Sequence, residues 1–380
     1  MRVLHLIKTP VGAGWALRQI RELVQLGVTV HVALPGEGPM RGRYSEVGAI
    51  EHTLQTDFPV RSPWRFPELA AKLSALVKIV QPDIIHSHFV GTTLSMRLAL
   101  GRGTTIPRVF QVPGPLHLEH GFFRRAEVFS SGRSDYWVGS CQWTCDCYER
   151  SGITRDRIFL SYYGTDIDLY APKEPGKLRK ELKLGPECKI VGMVAFMYAP
   201  KRYLGQKRGL KGHEDLIDAV KICLDNNPDL RCVMVGGAWN NATGYEAAVQ
   251  KYARSRCGNK VVFLGTRSDV ADLYADFDVA VHPSHSENVG GAVESLLLGV
   301  PTIATRVGGF PDLVQDGKTG WLVPPKDPKA LAVAIESALA DPIGARAKTL
   351  AGQQRARELF DVRRTAKEVK DIYEQVLGRK

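Results

Sequence analysis

The residues whose types and spacing most clearly suggest chemistry lie in residues 282–295. The pattern predicts the end of a strand, a turn, and the start of a helix. Backbone N–H groups at Gly290 and Gly291 have no side chains in the way, so they can form an anion site at the helix N-terminus. Glu294 falls about one turn into the helix, within reach of a hydroxyl beside a bound phosphate. Glu287 precedes the turn and can reach a hydroxyl on the other side.

Two carboxylates around a nest of amides suit a ligand with hydroxyls at both ends and negative charge between them, as a nucleotide-diphosphate sugar has. The same residues also fit a capped helix that carries two surface glutamates. This stretch by itself therefore leaves both interpretations open.

The stretch resembles the two-glutamate motif of the family-4 retaining glycosyltransferases. Other segments resemble the family in the same order along the chain, which makes the resemblance more specific than any single motif. It covers essentially all of residues 189–340, whereas the first half of the chain matches only in outline. The further matching segments are residues 211–217, 235–237, 262–266, 295–301, 302–314 and 316–323.

The resemblance implies a GT-B enzyme that moves a sugar from a nucleotide-diphosphate sugar to an acceptor hydroxyl. It implies a retaining hexosyltransferase of cell-surface polysaccharide or glycolipid synthesis that needs neither a metal nor another cofactor. Carried over from the family's motifs, the implied catalytic residues are Glu287, His117 and Lys211, and the implied donor-binding residues are Glu294, Gly290, Gly291, Asn288, Val289, Lys201, Arg202, Thr266, Arg267, Gly12 and Gly14.

Within this set, the resemblance assigns the diphosphate to Lys211 and to the amides of Gly290 and Gly291. A leaving diphosphate needs such donors because negative charge grows on it in the transition state. Glu294 is expected to bind the ribose, with the base near Thr266 and its neighbour Arg267.

Two departures from the family concern the same region. Glu287 is expected to address the transferred sugar, but six residues separate it from Glu294 where the family usually has seven. The family also has an arginine just after the first strand of its second domain, where this chain has Ala195-Phe196-Met197. Lys201 and Arg202 are the candidates to supply the missing positive charge.

Two features of the first half resemble the family in outline. The loop Val11-Gly12-Ala13-Gly14-Trp15 begins like a dinucleotide fingerprint, but Leu17 occupies the third glycine position, and a lone GxG is weak evidence for NAD. It resembles the family's glycine loop, which faces the donor phosphates and the acceptor. His117 follows a strand end, where the family often has a histidine near the transferred sugar; a hydrogen-bonded loop histidine fits equally well.

Histidines and cysteines do not predict a metal site. His86 and His88 alternate along one strand, so both can point to the same side, but no carboxylate accompanies them. Cys141, Cys145 and Cys147 lack the paired CxxC or Cys/His sets that zinc sites usually show. We interpret them as helix packing, and an odd total of seven cysteines suits a reducing compartment.

The formal net charge of +11 is unevenly distributed. Residues 171–215 carry eleven basic and five acidic side chains, and residues 343–380 carry ten and five. Such patches attract the phosphates of a small ligand, a nucleic acid or an anionic membrane, although the C-terminal one also fits a solvated helical face. No DNA- or RNA-binding module is recognisable. The expected partners are the donor, a glycan, glycolipid or small-molecule acceptor, and an anionic membrane surface.

No apolar run approaches the roughly 18 residues of a membrane-spanning helix. The apolar stretch at the N-terminus is too short, and too often interrupted by polar residues, for a secretion signal. Its pattern predicts a buried strand. We therefore expect a cytoplasmic protein that can bind peripherally at the inner face of the membrane.

A length of 380 residues predicts two domains. Strands alternate with helices throughout, which predicts two doubly wound, Rossmann-like α/β domains that face each other across a crevice. The predicted domains are residues 1–170 for the acceptor and 171–360 for the nucleotide sugar, with a C-terminal helix at about 361–380 packing back on the first. Predicted strands are 3–7, 28–34, 84–86, 109–112, 136–139, 189–194, 231–235, 261–264, 279–282 and 302–305, and predicted helices are 14–26, 67–80, 213–226, 247–256, 292–298 and 328–340.

Two other functions fit the same architecture. One is a nucleotide-sugar epimerase that does not hydrolyse its substrate, although the Glu-Asn-Val-Gly-Gly stretch looks more like a transferase. The other is a non-catalytic nucleotide-sugar-binding protein, which the altered glutamate spacing and the missing arginine would suit.

Overall fold

The computed structural model describes residues 1–114 and 116–378, which form two compact units. Unit 1 comprises Met1–Asp166 together with the chain from Leu359 onwards, and unit 2 is Ile167–Glu358. Among these residues, no helix combines the length and the apolar character that crossing a bilayer requires.

Unit 1 is built on a parallel sheet of seven strands in the order β3-β2-β1-β4-β5-β6-β7. Helices cover both faces, as a fully parallel sheet requires. Its strands are β1 (Arg2–Leu6), β2 (Thr29–Leu34), β3 (Ile50–Thr53), β4 (Ile84–Ser87), β5 (Arg108–Val112), β6 (Asp135–Gly139) and β7 (Ile158–Leu160). The helices up to Asp166 are α1 (Gly14–Gln25), α2 (Arg43–Glu46), α3 (Phe66–Val80), α4 (Val90–Leu100), α5 (Leu116–Glu119), α6 (Gly121–Phe129) and α7 (Gln142–Arg150).

Alternate side chains of β1 pack into two different hydrophobic clusters of unit 1. Val3 packs in a cluster with Ile20 of α1, whereas Leu4 packs in a separate cluster with Leu73 of α3. This period of two is what a strand covered on both faces produces.

Unit 2 repeats the plan with a parallel sheet of six strands in the order β10-β9-β8-β11-β12-β13. Its strands are β8 (Ile190–Val194), β9 (Arg231–Val235), β10 (Val261–Phe263), β11 (Val279–His282), β12 (Thr302–Thr305) and β13 (Trp321–Val323). Its helices are α8 (Lys177–Glu181), α9 (His213–Asn226), α10 (Thr243–Cys257), α11 (Val270–Tyr274), α12 (Gly290–Leu297), α13 (Phe310–Leu313), α14 (Pro328–Ala340) and α15 (Pro342–Phe360).

The chain returns to unit 1 at Leu359, at the end of α15, and continues in α16 (Val362–Leu377), which packs against α1. Asp361 separates α15 from α16, and its side chain accepts a hydrogen bond from the Arg363 backbone N–H, as N-cap residues do. Tyr373 and Val376 of α16 are buried in the same core as Ile20. The predicted C-terminal helix extends to 380, and residues 379–380 lie outside the described part of the chain.

Candidate active site

A cavity of about 290 Å³ lies at the carboxyl edge of the unit 2 sheet. From β8 the sheet grows one way through β9 and β10, and the other way through β11, β12 and β13. The cavity lies where β8 and β11 end, which is the point of reversal at which open α/β sheets bind ligands. Its lining residues are Met193, Val194, Ala195, Phe196, Tyr198, Lys211, Val235, Gly236, Thr266, Arg267, Val270, His282, Ser284, Glu287, Gly291 and Glu294.

The loop before α9 brings Lys211 to the cavity. Gly212 has a φ of +74°, in the left-handed region that favours glycine. A Cβ at this position would also overlap the carbonyl oxygen of Pro283. The backbone N–H of His285 donates to the carbonyl of Leu210 at 2.8 Å, which fixes the two loops against each other. Gly212 is therefore the residue that lets the Lys211 loop approach the turn after β11.

Lys211 and Glu287 form an ion pair at the cavity wall. Their side chains are only 19% and 13% exposed. The other carboxylate oxygen of Glu287 accepts a hydrogen bond from the backbone N–H of Asn288 at 3.0 Å. Two of the predicted catalytic side chains thus neutralise each other, and an anionic ligand near Lys211 must compete with Glu287.

The start of α12 contributes backbone and carboxylate to the same cavity. The N-cap residue Val289 makes no side-chain capping bond, and a Cβ on Gly290 would lie 3.1 Å from the Glu287 carboxylate. Gly291 and Glu294 both line the cavity. The first amides of an uncapped helix attract anions. Glu294 accepts a hydrogen bond from the Tyr170 hydroxyl at 3.5 Å. The structure brings Lys211, Glu287, Gly291 and Glu294 around one space.

Aromatic rings occupy the place where the family has its arginine. The Phe196 and Tyr198 rings lie 5.2 and 5.4 Å from that of Trp239, and the Lys211 ammonium lies 5.7 Å from the centre of the Tyr198 ring. The two candidates for the missing charge, Lys201 and Arg202, are exposed and are not among the lining residues. The structure therefore does not bring them to this cavity.

The predicted base-binding residues line the cavity, but Arg267 already has partners. Its guanidinium donates to Asp269 at 2.8 Å and to Glu181 at 2.8 and 3.1 Å. These carboxylates, Asp269 first, raise the pKa of Arg267. Its neighbour Thr266 offers a hydroxyl at the same wall. We infer that Thr266 is the better placed of the two to contact a base.

Three further predicted residues here, Asn288, Val289 and Gly290, lie outside the lining set. Val289 is buried at 6% exposure. The Asn288 carbonyl accepts from the Gly309 N–H at 2.7 Å, and its side-chain Oδ1 is buried without a hydrogen-bond partner among the described residues. Asn288 and Val289 belong to the turn between β11 and α12, and Gly290 is the first residue of α12.

The sequence did not single out several lining side chains. Burial lowers the pKa of His282 to about 3, and its Nε2 atom lies 3.0 Å from the Ser295 hydroxyl. Ser284 and Tyr198 also reach the cavity, and burial raises the pKa of Tyr198. No spacing in the sequence marks these residues. His282 ends β11, whereas Ser284 and Tyr198 lie in loops, and only the fold brings the three to one cavity.

The remaining predicted residues belong to unit 1. Gly12 has a φ of +76°, and Gly14 begins α1, so the glycines shape the turn that follows β1. His117 lies in the short helix α5, and its Nε2 atom lies 3.2 Å from the Tyr148 hydroxyl. Burial lowers the pKa of His117 to about 4, which keeps the ring neutral at pH 7.

The structure adds a third histidine to His86 of β4 and His88, which follows the strand. His5 on β1 stacks on His86 and on His88, with ring centres 4.7 and 5.2 Å apart. One potential ligand nitrogen from each of the three lies within 4.8 Å of the others. His5 Nδ1 and His88 Nε2 are 3.0 Å apart, and the Tyr373 hydroxyl contacts His86 Nδ1. These contacts form a buried hydrogen-bonded network at the carboxyl ends of β1 and β4.

The sequence matches two protein-family models. Residues 202–357 match the family described as glycosyl transferases group 1, and residues 15–169 match glycosyltransferase family 4. The chain belongs to glycosyltransferase family 4. The two matches fall in different units, so both halves of the chain carry the family's pattern, and the resemblance read from the sequence is confirmed.

Individual relatives agree with this assignment. This glycosyltransferase is 26% identical over 366 residues to D-inositol 3-phosphate glycosyltransferase of Corynebacterium aurimucosum, with 86% of this chain and 82% of the relative covered. It is 26% identical over 220 residues to the lipopolysaccharide core biosynthesis mannosyltransferase LpsB of Rhizobium meliloti, covering 57% of this chain and 60% of LpsB.

The fold is that of HepE from Anabaena, a structure solved in complex with UDP. The TM-score is 0.81 at 24% identity, over 98% of this chain and all of HepE. The predicted GT-B class, with two doubly wound parallel sheets, is confirmed.

Proposed function

We propose that this glycosyltransferase moves a hexose from a UDP-sugar, with retention of configuration, to a hydroxyl of a glycan, glycolipid or small-molecule acceptor. The observation that carries the proposal is the cavity of unit 2 in which Lys211, Glu287, Gly291 and Glu294 meet. A cation, helix-start amides and two carboxylates match the diphosphate and the hydroxyls of such a donor.

In this mechanism Lys211 and the Gly290–Gly291 amides hold the diphosphate and stabilise the negative charge that grows as the sugar leaves. Glu294 binds the ribose, and Glu287 and His117 address hydroxyls of the sugar. The acceptor hydroxyl attacks on the face from which the diphosphate departs, and a phosphate oxygen takes its proton. Retention follows from that geometry, and no metal is needed at any step.

Support for the donor comes from HepE, which has been solved with UDP and with UDP-glucose. Support for a cell-surface glycan or glycolipid acceptor comes from LpsB, which acts in lipopolysaccharide core biosynthesis. An acceptor of this kind would place the reaction at the inner, anionic face of a membrane. The net charge of +11 favours peripheral binding there.

The test is a transfer assay with purified protein, UDP-glucose or GDP-mannose as donor, and a panel of saccharide acceptors. We expect transfer from UDP-glucose, and a loss of about 100-fold or more in kcat for Lys211→Ala and for Glu294→Ala. Circular dichroism should show that both variants stay folded.

Lys207→Ala is the matched control, because Lys207 is an exposed lysine near Lys211 that does not line the cavity. It should keep the activity of the unmodified protein. Turnover close to that of the unmodified protein in Lys211→Ala or Glu294→Ala would contradict the site. Transfer from the GDP-sugar alone would contradict the choice of nucleotide and leave the site standing.

A further inference from the structure

The outer face of helix α6 is both aromatic and cationic. Phe122, Arg125 and Phe129 are spaced three and four residues apart, so they share one face of the helix. Phe122 is 70% and Phe129 is 76% exposed, and Arg125 between them is exposed as well. Single exposed apolar residues are ordinary, but two phenylalanines that flank an arginine on one helical face form a patch.

The opposite face of α6 is anchored by a buried charge. Glu127 is fully buried and accepts hydrogen bonds from Arg97 Nη1 at 2.6 Å and from Trp137 Nε1 at 3.0 Å. Arg97 in turn donates to Asp135 at 3.0 Å. Rotating α6 to bury its phenylalanines would expose Glu127 and leave the buried Arg97 short of a partner, which is strongly unfavourable. The aromatic face is therefore held outward by the fold.

The exposed charges on α6 and in the segment that follows it up to Arg133 are positive. Between Gly121 and Arg133 the chain has three arginines and a single acid, Glu127, whose charge is matched inside by Arg97. Arg102, also exposed, lies with its guanidinium carbon 4.9 Å from the centre of the Phe129 ring. Aromatic rings that can enter a headgroup layer, ringed by arginines that meet its phosphates, are typical of helices that lie on anionic membranes.

We propose that α6 docks unit 1 onto an anionic lipid bilayer, with Phe122 and Phe129 in the headgroup region and Arg102, Arg125 and Arg133 on lipid phosphates. The inference goes beyond the transfer reaction, since it concerns a surface of unit 1 and does not depend on the donor cavity of unit 2. The net charge favours binding to an anionic membrane but does not say which surface binds, and this proposal names that surface.

Flotation with lipid vesicles tests the proposal. The full chain is mixed with vesicles of phosphatidylcholine that contain phosphatidylglycerol, or with pure phosphatidylcholine vesicles. We expect binding to the anionic vesicles only, weakened by salt. Phe122→Ser with Phe129→Ser should lower the binding constant for the vesicles about tenfold or more, and Arg125→Glu should lower it several-fold.

The matched control is Val333→Ser with Ile343→Ser, which removes two apolar side chains that are 65% and 85% exposed in unit 2. It should bind vesicles as the unmodified protein does. Transfer to a soluble acceptor should be unchanged in all these variants, which separates this test from that of the donor site. Equal binding by the Phe122/Phe129 variant and the control would overturn the proposal. So would the absence of vesicle binding, or a dimer that dissociates when the two phenylalanines are replaced.

Discussion

The two sheets of this glycosyltransferase end differently at their carboxyl edges. In unit 2 the edge opens into a cavity walled by Lys211, Glu287 and Glu294. In unit 1 the ends of β1 and β4 are closed by the rings of His5 and His86, both fully buried. One architecture therefore gives a cavity lined by charged side chains in one unit and a packed network of histidines in the other. In both units the fold provides a carboxyl edge of a parallel sheet, and the side chains at that edge determine whether it forms a cavity or is packed.

The largest expected effect concerns the closed edge of unit 1. Burial lowers the pKa of His5 to about 3 and holds those of His86 and His88 well below the ordinary value. In the unfolded chain each of these three rings binds a proton below about pH 6.5, whereas in the folded network the rings stay neutral at that pH. Stability is therefore complete above that pH and falls as the pH drops towards the folded values. At pH 5.5 we expect a loss of roughly 1 kcal/mol from His5 alone, and a larger loss for the three rings together.

Hydrogen exchange by mass spectrometry, corrected for intrinsic rates, can follow β1 and β4 peptides at pH 7.5 and 5.5. Protection there should fall with acid whether or not UDP is present, whereas UDP should protect peptides of β8 and β11. His88→Gln should lower the proton uptake on unfolding by about one. Protection of β1 that is independent of pH would remove the contrast between the two edges.

The second prediction concerns a backbone position, Gly212, in the loop that brings Lys211 to the cavity of unit 2. Gly212→Ala would force a Cβ against the Pro283 carbonyl and displace Lys211. We expect kcat/KM to fall about 100-fold. Gly205→Ala is the matched control, since Gly205 has a similar φ of +72° but no neighbouring atom within 4 Å of the position that a Cβ would take.

The control should lose about 1 kcal/mol of unfolding free energy from the left-handed backbone and keep its kcat. Urea unfolding and steady-state kinetics measure both quantities. Equal kinetic losses in the two variants would show that strain, and not the approach of the loops, is responsible.

The third prediction concerns the ion pair that fills the open edge. Glu287→Gln frees Lys211 from its carboxylate, so UDP should bind about threefold to tenfold more tightly by calorimetry. Transfer should nevertheless slow about tenfold, because the sugar loses a charged hydrogen-bond acceptor. Glu187→Gln, at an exposed glutamate, should change neither quantity. Weaker UDP binding by Glu287→Gln would mean that Glu287 helps to hold the diphosphate site together.

The smallest expected effect tests His117 in unit 1. Tyr148→Phe removes the hydroxyl that lies 3.2 Å from His117 Nε2, and one such bond is worth about 1 kcal/mol. We expect kcat/KM to fall about fivefold, with a shifted pH profile. Tyr44→Phe is the control, because the Tyr44 hydroxyl is buried without a hydrogen-bond partner in the described structure. An unchanged pH profile in Tyr148→Phe would remove His117 from the mechanism.

Much of the fold could be predicted where the pattern is local. The helices predicted at 213–226 and 328–340 have the bounds of α9 and α14, because their apolar residues recur at helical spacing. Helix α4 was missed, since it buries Thr92, Thr93 and Ser95, polar residues that do not mark a buried helical face in the sequence. Strand β3, with the sequence Ile-Glu-His-Thr, was missed because it is a half-exposed edge strand defined by its pairing with β2.

The sequence alone determined the alternation of strands and helices, the glycine pair at the start of α12 and the family, because each depends on residues that are neighbours in the chain. Only the tertiary structure decided which side chains meet. Lys211 reaches Glu287 across 76 positions, and Tyr373 reaches His86 across 287. Such pairs depend on how elements that are distant in the sequence pack together, and short-range sequence patterns do not predict that packing.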